Sequence, residues 1–347
     1  MKKKIIIFGA LILIVGIAVY FFIFNKKEDN KLKDDKSNIK KEEVVIPTIN
    51  IVDINSKKRP IAVMINNHNQ ARPYHSGIQD AYLVYEMIVE GGITRMMAIF
   101  KDQTTERIGS VRSSRHYFLD YALENDAIYV HFGWSPQAEA DISILGVNNI
   151  NGLYDNAFSR DRSLPVAYEH TAITNMDKIN NIISNKKYRS EYNSSNVENE
   201  LLLKYSVDEV LINNKEDSII ANNIVIPYSN YMTSSYIYDE ENKYYLRFAN
   251  NVAHVDYITK QQYHFKNIII QNVENYTIDS YGRQNLKNIG TGNGYFITNG
   301  YARPITWEKS SRNSKTIYKY LDGEEIKAND GNTFIQIEPI DKLATIS

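Results

Sequence analysis

The sequence contains no cysteine. It therefore has no disulfide bond, no thiolate metal ligand and no cysteine nucleophile for catalysis. Extracytoplasmic domains often rely on disulfides to supplement a small core, and this chain cannot form any. We expect the folded part of the chain to be held together by core packing alone.

An excess of basic charge is also missing. The chain has 40 lysine and arginine residues against 41 aspartate and glutamate residues, which gives a formal net charge of −1 at pH 7. Proteins that bind nucleic acid usually present a strong basic excess to the phosphate backbone. We therefore expect no nucleic-acid partner.

Several catalytic signatures are absent as well. The sequence has no G-x-S-x-G nucleophile elbow, no H-E-x-x-H zinc motif, no P-loop and no G-x-G-x-x-G dinucleotide motif. The histidines His68, His116 and His131 do not have the spacing of metal ligands. The sequence therefore predicts neither a metal site nor a cofactor.

The chain does contain one long apolar segment. Ile5–Phe24 carries no charge and follows Lys2–Lys4, and a helix of this length spans about 30 Å, the thickness of a bilayer's hydrocarbon core. A basic head before an apolar run is typical of secretory signals and signal anchors, and both place the rest of the chain outside the cytoplasm. The run ends in the bulky residues Val19–Phe24 without a small-residue cleavage site. We expect residues 1–24 to be a retained transmembrane anchor in the cell membrane, with residues 5–24 inside the bilayer.

The remainder of the chain divides by composition. Residues 25–50 are rich in lysine, aspartate, glutamate and asparagine, which predicts a solvated polar linker. Residues 51–190 alternate apolar runs with helical signals, which predicts an α/β or α+β N-terminal domain. Residues 200–347 begin with a helical pattern at Leu201–Ile212 and continue with short strands and turn pairs such as Asn299-Gly300. This pattern predicts a β-rich C-terminal domain.

Individual elements of the N-terminal domain can be predicted from the same patterns. The apolar runs predict strands at Ile61–Ile65, Ala81–Glu90, Ile93–Phe100 and Ile128–Phe132. Capping residues predict helices from Ser113 or Ser114 to Leu123 and from Ser135-Pro136 to Leu145.

The pair Gly91-Gly92 predicts a hairpin between the second and third strands. A two-residue loop would pair Ile88 with Arg95, and strand alternation would place Glu86 and Glu90 on the same face as Arg95. Such a cluster suits a paired-carboxylate catalytic site, in which one carboxyl stays protonated and acts as a general acid. The plainer interpretation is a solvated hairpin face, and a helix with the two glutamates as i,i+4 neighbours is a third. A shift of the register by one residue would reverse the faces.

A second polar group lies where a strand is expected to lead into a helix. Its members are Arg112, Ser113, Ser114, Arg115 and His116. Free N–H groups at a helix start bind anions, and arginine side chains add bidentate contacts. Together with Arg95, this group would bind a carboxylate or phosphate of an envelope polymer. The alternative is a structural helix start whose arginines pair with acids of the hairpin.

Further candidate ligand-binding residues follow the ends of predicted strands. They are Asn67, His131, Trp134 and Ser135, with His170 as a weaker candidate. In open α/β sheets, ligands bind beyond the carboxyl ends of the strands. The ring of Trp134 would stack on a sugar there. The alternative for His131 is a hydrogen-bonded histidine of the core.

Eight segments together resemble one known family. They are Arg59–Asn67, Ala71–Pro73, Val84–Glu86, Val89–Arg95, Gly109–Arg115, His131–Pro136, Asn299–Lys309 and Asp330–Phe334. Over about residues 58–340 the chain resembles the YerB-type lipoproteins of Gram-positive bacteria. The resemblance implies a two-domain extracytoplasmic protein of the cell envelope and no particular reaction, because the family is one of unknown function. Its members commonly carry a lipidated cysteine, which this chain lacks, so we expect the apolar helix itself to be the anchor.

Three functions remain open at this point. The first is an accessory envelope protein that binds an anionic or glycan ligand through Arg95, Arg112 and Arg115. The second is a hydrolase of a cell-wall polymer with Glu86 or Glu90 as acid or base. The third is a scaffold whose tyrosine-rich C-terminal domain docks another envelope protein, which requires those tyrosines to form an exposed patch.

Overall fold

The computed structural model describes residues 48–194 and 196–347. The expected anchor at residues 5–24 and most of the expected linker lie outside these ranges. Among the described residues, no helix is long and apolar enough to cross a membrane. Residues 48–347 form one compact unit.

The described residues contain far more strands than helices, and their three α-helices all lie in the first half, for which an α/β or α+β domain was expected. The α-helices are α1 (His116–Glu124), α2 (Pro136–Ile144) and α3 (Met176–Asn185). The strands of the first half are β1 (Ile61–Asn66), β2 (Leu83–Ile88), β3 (Thr94–Phe100), β4 (Ile108–Gly109), β5 (Ile128–His131), β6 (Asn149–Asn151), β7 (Ser159–Arg160) and β8 (Ala172–Thr174). The strands of the second half are β9 (Lys204–Ser206), β10 (Ile219–Ile220), β11 (Asn223–Pro227), β12 (Thr233–Asp239), β13 (Tyr244–Ala249), β14 (Val252–Ala253), β15 (His264–Phe265), β16 (Asn267–Val273), β17 (Asn275–Thr277), β18 (Gln284–Leu286), β19 (Gly290–Thr298), β20 (Tyr301–Lys309), β21 (Ile317–Tyr320), β22 (Lys327–Asn329), β23 (Thr333–Pro339) and β24 (Thr345–Ile346).

The main sheet takes its strands from both halves of the chain. Its order is β10-β20-β19-β16-β23-β2-β3-β1-β5-β6, and β21 pairs with β20. Strand β23 is parallel to both β16 and β2, and β1 is parallel to β5. Strand β3 is antiparallel to both β1 and β2. As a result β1, β2 and β5 point the same way, and their carboxyl ends lie along one edge of the sheet.

The central strands of the main sheet are covered on both faces. On one face, the hydroxyl of Tyr85 in β2 donates to Glu124 of α1 at 2.7 Å. On the other face, Glu86 of β2 pairs with Arg247 of β13. Strand β13 belongs to a second, antiparallel sheet of order β14-β13-β12-β11-β24, with β15 paired to β13. Burial on both faces explains why β1 and β2 are apolar along almost their whole length.

The structure confirms most of the elements predicted for residues 51–190. The runs predicted at Ile61–Ile65 and Ile128–Phe132 correspond to β1 and β5. The Oγ of Ser135 accepts from the N–H of Ala138 at 3.2 Å, and Pro136 is the first residue of α2, as the capping signal predicts.

The predicted start of α1 is off by one or two residues. Arg115 occupies the N-cap position, and its side chain makes no capping hydrogen bond. Ser114 does not cap the helix because its Oγ lies in the core, where it accepts from the hydroxyl of Tyr129 at 2.8 Å. A buried tertiary contact thus replaces the local contact that the sequence suggested.

The helix predicted at Leu201–Ile212 is wrong. Leu201, Leu202 and Leu203 are all buried in succession, and β9 follows them. A helix at the surface would bury only one stripe of side chains, so three consecutive buried leucines need an extended or irregular backbone. The β-rich character of this half of the chain is otherwise as predicted.

Ion pairs join the two halves of the chain. Lys309 of β20 donates to Glu124 of α1 at 2.8 Å, and both side chains are fully buried. Arg312 contacts both Asp120 of α1, at 2.5 Å, and Asp141 of α2, at 2.8 Å. The division into domains at residues 51–190 and 200–347 stays a prediction, and the main sheet runs through both ranges.

Candidate functional site

The carboxyl ends of β1, β2 and β5 meet at one edge of the main sheet, which we call the carboxyl edge. The segments that follow these strands contain Asn67, Glu90 and Trp134 respectively. Arg95 lies at the start of the antiparallel β3 and therefore at the same edge. This topology places several of the sequence-predicted site residues together.

The hairpin between β2 and β3 has a different register from the predicted one. Its loop is Glu90–Gly92, which is three residues long, and the N–H of Val89 donates to the carbonyl of Ile93 at 2.8 Å. This register pairs Met87 with Arg95 across the two strands. The prediction that Glu86 and Arg95 share a face is therefore wrong, because the longer loop shifts the pairing by one residue.

Glu90 and Arg95 do lie close together, and Arg115 joins them. Arg115 contacts both carboxylate oxygens of Glu90: its Nε donates to Oε1, and its Nη2 donates to Oε2 at 2.9 Å. Burial alone would raise the pKa of Glu90, but hydrogen bonding and charge from Arg115 and the charge of Arg95 lower it below its usual value. Glu90 is therefore an ionised carboxylate at neutral pH.

Arg95 has no carboxylate of its own. Its nearest carboxylate in the described part of the chain is Glu90, at 3.9 Å, and that group is already engaged by Arg115. Its Nη1 donates to the carbonyl of Ser113 at 2.6 Å. Arg95 is only 5% exposed, and burial and then the charge of Arg115 lower its pKa to about 9. The guanidinium of Arg95 thus lies close to those of Arg115 and Arg112, and Glu90 alone does not balance the three positive charges.

Two further arginines add to the positive charge of the edge. Arg112 pairs with the exposed carboxylate of Glu169 at 3.2 Å. Arg160 stacks on the rings of Phe132 and Tyr168, at 4.2 Å and 4.4 Å from their centroids. Together with Arg95 and Arg115 these residues form what we call the arginine cluster, which contains four guanidinium groups against two carboxylates.

Two stacked histidines lie beside the arginine cluster. The rings of His68 and His170 are 4.7 Å apart and nearly parallel, and Nδ1 of His170 contacts the side-chain amide of Asn66 at 2.8 Å. Burial lowers the pKa of both histidines. They are therefore uncharged at neutral pH, and the positive charge at the carboxyl edge comes from the arginines.

Aromatic side chains border the cluster. The ring of Trp134 lies 5.8 Å from that of Tyr154, and Tyr154 and Tyr168 are largely exposed. Exposed aromatic faces beside guanidinium groups suit a ligand that carries both sugar rings and anionic groups. The placement of Trp134 at this edge agrees with its predicted position.

Glu86 has an entirely different environment. It is fully buried between the two sheets and pairs with Arg247 at 2.7 Å. Its other hydrogen-bond donors are the side chains of Asn67, Thr94, Ser234 and Gln336. Asn67 thus belongs to this internal network rather than to the carboxyl edge.

The remaining predicted residues have structural contacts. His131 is buried, with Nδ1 contacting the carbonyl of Gly133 at 2.8 Å, and burial lowers its pKa to about 4. This environment matches the alternative of a core histidine. Ser135 caps α2, and the ring of His116 contacts Asn285 at 2.8 Å. Ser113 contributes its backbone carbonyl to Arg95 rather than its hydroxyl.

Sequence patterns missed Arg160 and Glu169. Neither residue follows a strand of the main sheet, and tertiary folding alone brings their segment to the carboxyl edge. Their only signal was proximity in sequence to His170. Within residues 48–194 and 196–347, no group of three or more histidine, aspartate or glutamate side chains is arranged to hold a metal ion.

Comparison with known proteins identifies relatives over most of the chain. Residues 49–189 match the N-terminal domain, and residues 223–335 the C-terminal domain, of a family described as a protein of unknown function, DUF3048. The chain is 30% identical over 338 residues to YerB of Bacillus subtilis (strain 168), a candidate lipoprotein, and the alignment covers 95% of each protein. The fold is similar to the crystal structure of YerB, with a TM-score of 0.71 over 84% of this chain and 94% of that one.

Proposed function

Since the chain belongs to the DUF3048 family of YerB-like proteins, we propose that it is a membrane-anchored envelope protein whose arginine cluster binds an anionic polymer outside the cytoplasm. The location is supported by the name of its relative as a candidate lipoprotein and by the apolar run at residues 5–24. Because this chain has no cysteine, the proposed anchor is the apolar helix.

The observation that carries the binding function is the charge imbalance around Arg95. A buried guanidinium without a full counter-charge is costly, and a bound carboxylate or phosphate would offset that cost. The two carboxylates at this edge neutralise the arginines only in part. Glu169 is exposed, and Glu90 lies close to two arginines at once. The edge therefore favours anions.

The hydrolase alternative has less support. A paired-carboxylate mechanism needs one carboxyl that is protonated near neutral pH, whereas the pKa of Glu90 is lowered. Glu86 is fully buried and saturated with donors, so a polymer has no access to it in this conformation. These surroundings favour binding over bond cleavage.

The scaffold alternative depends on an exposed tyrosine patch in the C-terminal half. Tyr236, Tyr245 and Tyr263 are buried, Tyr238, Tyr244 and Tyr257 are half-buried, and Tyr231, Tyr276 and Tyr281 are exposed. The burial of the first three favours core packing as the reason for the tyrosine content.

A retention assay tests the proposal. Residues 48–347, which form one compact unit, are passed over an immobilised phosphate-rich wall polymer and over an uncharged polysaccharide. We expect salt-sensitive retention on the charged polymer only, weakened at least tenfold, about 1.4 kcal/mol, in Arg112→Gln.

Arg189→Gln is the matched control. Arg189 is also a partly exposed arginine paired with one acid, Asp126, but it lies at the opposite edge of the main sheet. Equal losses in the two variants would indicate non-specific attraction and contradict the proposal. Release of soluble fragments from the polymer would instead favour a hydrolase.

A further inference from the structure

A second candidate site is a cavity of about 450 Å³. The cavity lies between Asn69–Pro73, which follows β1, and Ala249–Lys260, which surrounds β14. Its volume falls within the range of pockets that bind small organic molecules. It is separate from the arginine cluster, because its walls share no residue with that cluster.

The walls of the cavity are mostly apolar. The apolar lining residues are Pro73, Ala249, Val252, Ala253, Val255 and Tyr257. A ligand that fills this space therefore needs an apolar body.

Arg72 supplies an unpaired positive charge to the same cavity. In the described part of the chain, its side chain has no hydrogen-bond or ion-pair partner, and its Nε is buried. Burial lowers the pKa of Arg72, and the charge of Arg247 lowers it further, while Glu86 opposes both. Glu86 already pairs with Arg247 at 2.7 Å, so its negative charge is largely used before it can balance Arg72.

The acidic residue of the cavity does not balance Arg72. The carboxylate of Asp256 accepts from the N–H groups of Gly77, Ile258 and Thr259 and from the hydroxyl of Tyr263, at 2.8–3.0 Å. Asp256 therefore stabilises the loop around it, and its carboxylate oxygens have little capacity left to accept hydrogen bonds from Arg72. Lys260, 4.3 Å from the ring centroid of Tyr257, adds a second cation at the rim.

His254 lines the same cavity, and its contacts show which of its nitrogens carries the hydrogen. Nε2 of His75 contacts the carbonyl of Asn66, so that nitrogen carries a hydrogen and Nδ1 of His75 is an acceptor. Nδ1 of His75 contacts Nε2 of His254 at 2.8 Å, which must therefore be the donor. Nδ1 of His254 is thus an unprotonated acceptor, but it is fully buried and has no partner among the described residues, so it is not open to a ligand in the cavity.

We propose that this cavity binds a small amphipathic molecule through a carboxylate or phosphate held by Arg72, with the apolar body of the ligand against Val252, Val255 and Tyr257. The two requirements come from two separate observations: an apolar wall and a cation without a partner among the described residues. The anionic group belongs either to a free metabolite-sized ligand or to a lipid headgroup.

Calorimetric titration of the full-length chain in non-ionic detergent tests this assignment. The probes are phenyl phosphate and the neutral analogue benzyl alcohol. We expect saturable binding of phenyl phosphate and at least tenfold weaker binding of benzyl alcohol. Flotation with vesicles of anionic phospholipid, compared with vesicles of zwitterionic lipid, distinguishes a lipid headgroup from a free ligand.

Two variants locate the site. Arg72→Gln should abolish phenyl phosphate binding without lowering the melting temperature, since Arg72 has no partner to lose and lies close to Arg247. Ala253→Trp, at an exposed position on the cavity wall, should block binding while retaining Arg72. A fall in melting temperature for Arg72→Gln with unchanged binding would mean a structural role and overturn the proposal.

Arg112→Gln separates this proposal from that for the arginine cluster. It should leave phenyl phosphate binding within twofold of the original chain, because Arg112 is not part of the cavity wall. Binding that is lost in Arg112→Gln and kept in both Arg72→Gln and Ala253→Trp would overturn the cavity site while supporting the arginine cluster.

Discussion

Glu86 of the main sheet and Arg247 of the second sheet form an ion pair of 2.7 Å in which both side chains are fully buried. The two residues are 161 positions apart in the sequence. The pair joins the two sheets at their centre, and Ser234 donates to the same carboxylate oxygen at 2.8 Å. A charge pair this deep makes the packing of the two sheets depend on both partners.

The first prediction concerns this pair. Glu86→Gln leaves the guanidinium of Arg247 buried without its counter-ion, and we expect a loss of about 3–5 kcal/mol in the free energy of unfolding. Urea denaturation measures the loss. Glu325→Gln, which breaks an exposed pair with Lys204, should cost about 1 kcal/mol or less. Similar costs for the two changes would contradict a structural role that is special to Glu86.

Glu90 provides the second prediction, which separates binding from catalysis. The carboxylate of Glu90 occupies the fork of Arg115 and faces Arg95, so it competes with any anionic ligand of the arginine cluster. Glu90→Gln removes the competing charge and should increase retention on the anionic polymer several-fold. A hydrolase with Glu90 as acid or base would instead lose activity in this variant. Unchanged or weaker retention would argue against the proposed binding role.

Local sequence signals predicted the elements that depend on neighbouring residues. The start of α2 follows from Ser135 and Pro136, and the burial of β1 follows from its continuous apolar run. The turn Asn299-Gly300 between β19 and β20 was also predicted, and both residues have positive φ, +50° and +79°, as this type of hairpin turn requires.

The hairpin register and the partners of Glu86 could not be obtained in this way. The loop Glu90–Gly92 is one residue longer than the Gly-Gly pair suggests, because Glu90 joins the two glycines, both at φ +69°. Arg247, the partner of Glu86, lies in the other half of the chain, and no spacing rule connects them. Both candidate sites depend on such distant contacts, which is why the sequence suggested Arg95, Arg112 and Arg115 but not Arg72 or Arg160.

The third prediction tests the close packing of the main sheet. A Cβ atom on Gly294 of β19 would lie 1.8 Å from the carbonyl oxygen of Ile270 in β16, which is rigid backbone. Gly294→Ala should therefore push the two strands apart and destabilise the protein by about 3 kcal/mol. Thr291→Ala, at an exposed position of the same strand, should change stability by less than about 1 kcal/mol. A small effect at Gly294 would mean that β16 and β19 are farther apart than described.

The fourth prediction concerns the pH dependence of stability. Glu338 at the end of β23 is 1% exposed, and Asn272 donates to its Oε2 at 2.6 Å, while its Oε1 has no partner among the described residues. Burial raises the pKa of Glu338 to about 8, although Asn272 opposes this shift. Between the unfolded pKa of 4.5 and about 8, the folded chain holds a proton that the unfolded chain has lost. This contribution to stability is therefore complete below about pH 4.5 and is lost as the pH rises to about 8, by up to about 1.4 kcal/mol per pH unit.

Glu338→Gln isolates this contribution, because glutamine keeps the acceptor for Asn272 and does not titrate. Urea denaturation at a series of pH values should give a difference in unfolding free energy between the variant and the original chain that grows steadily from pH 5 to pH 8 in favour of the variant. Glu325→Gln, at an exposed glutamate paired with Lys204, should give a difference that hardly changes with pH over the same range. Parallel curves for Glu338→Gln and the original chain would mean that the carboxyl ionises in the folded state at its ordinary pKa, with water or a cation reaching the end of β23.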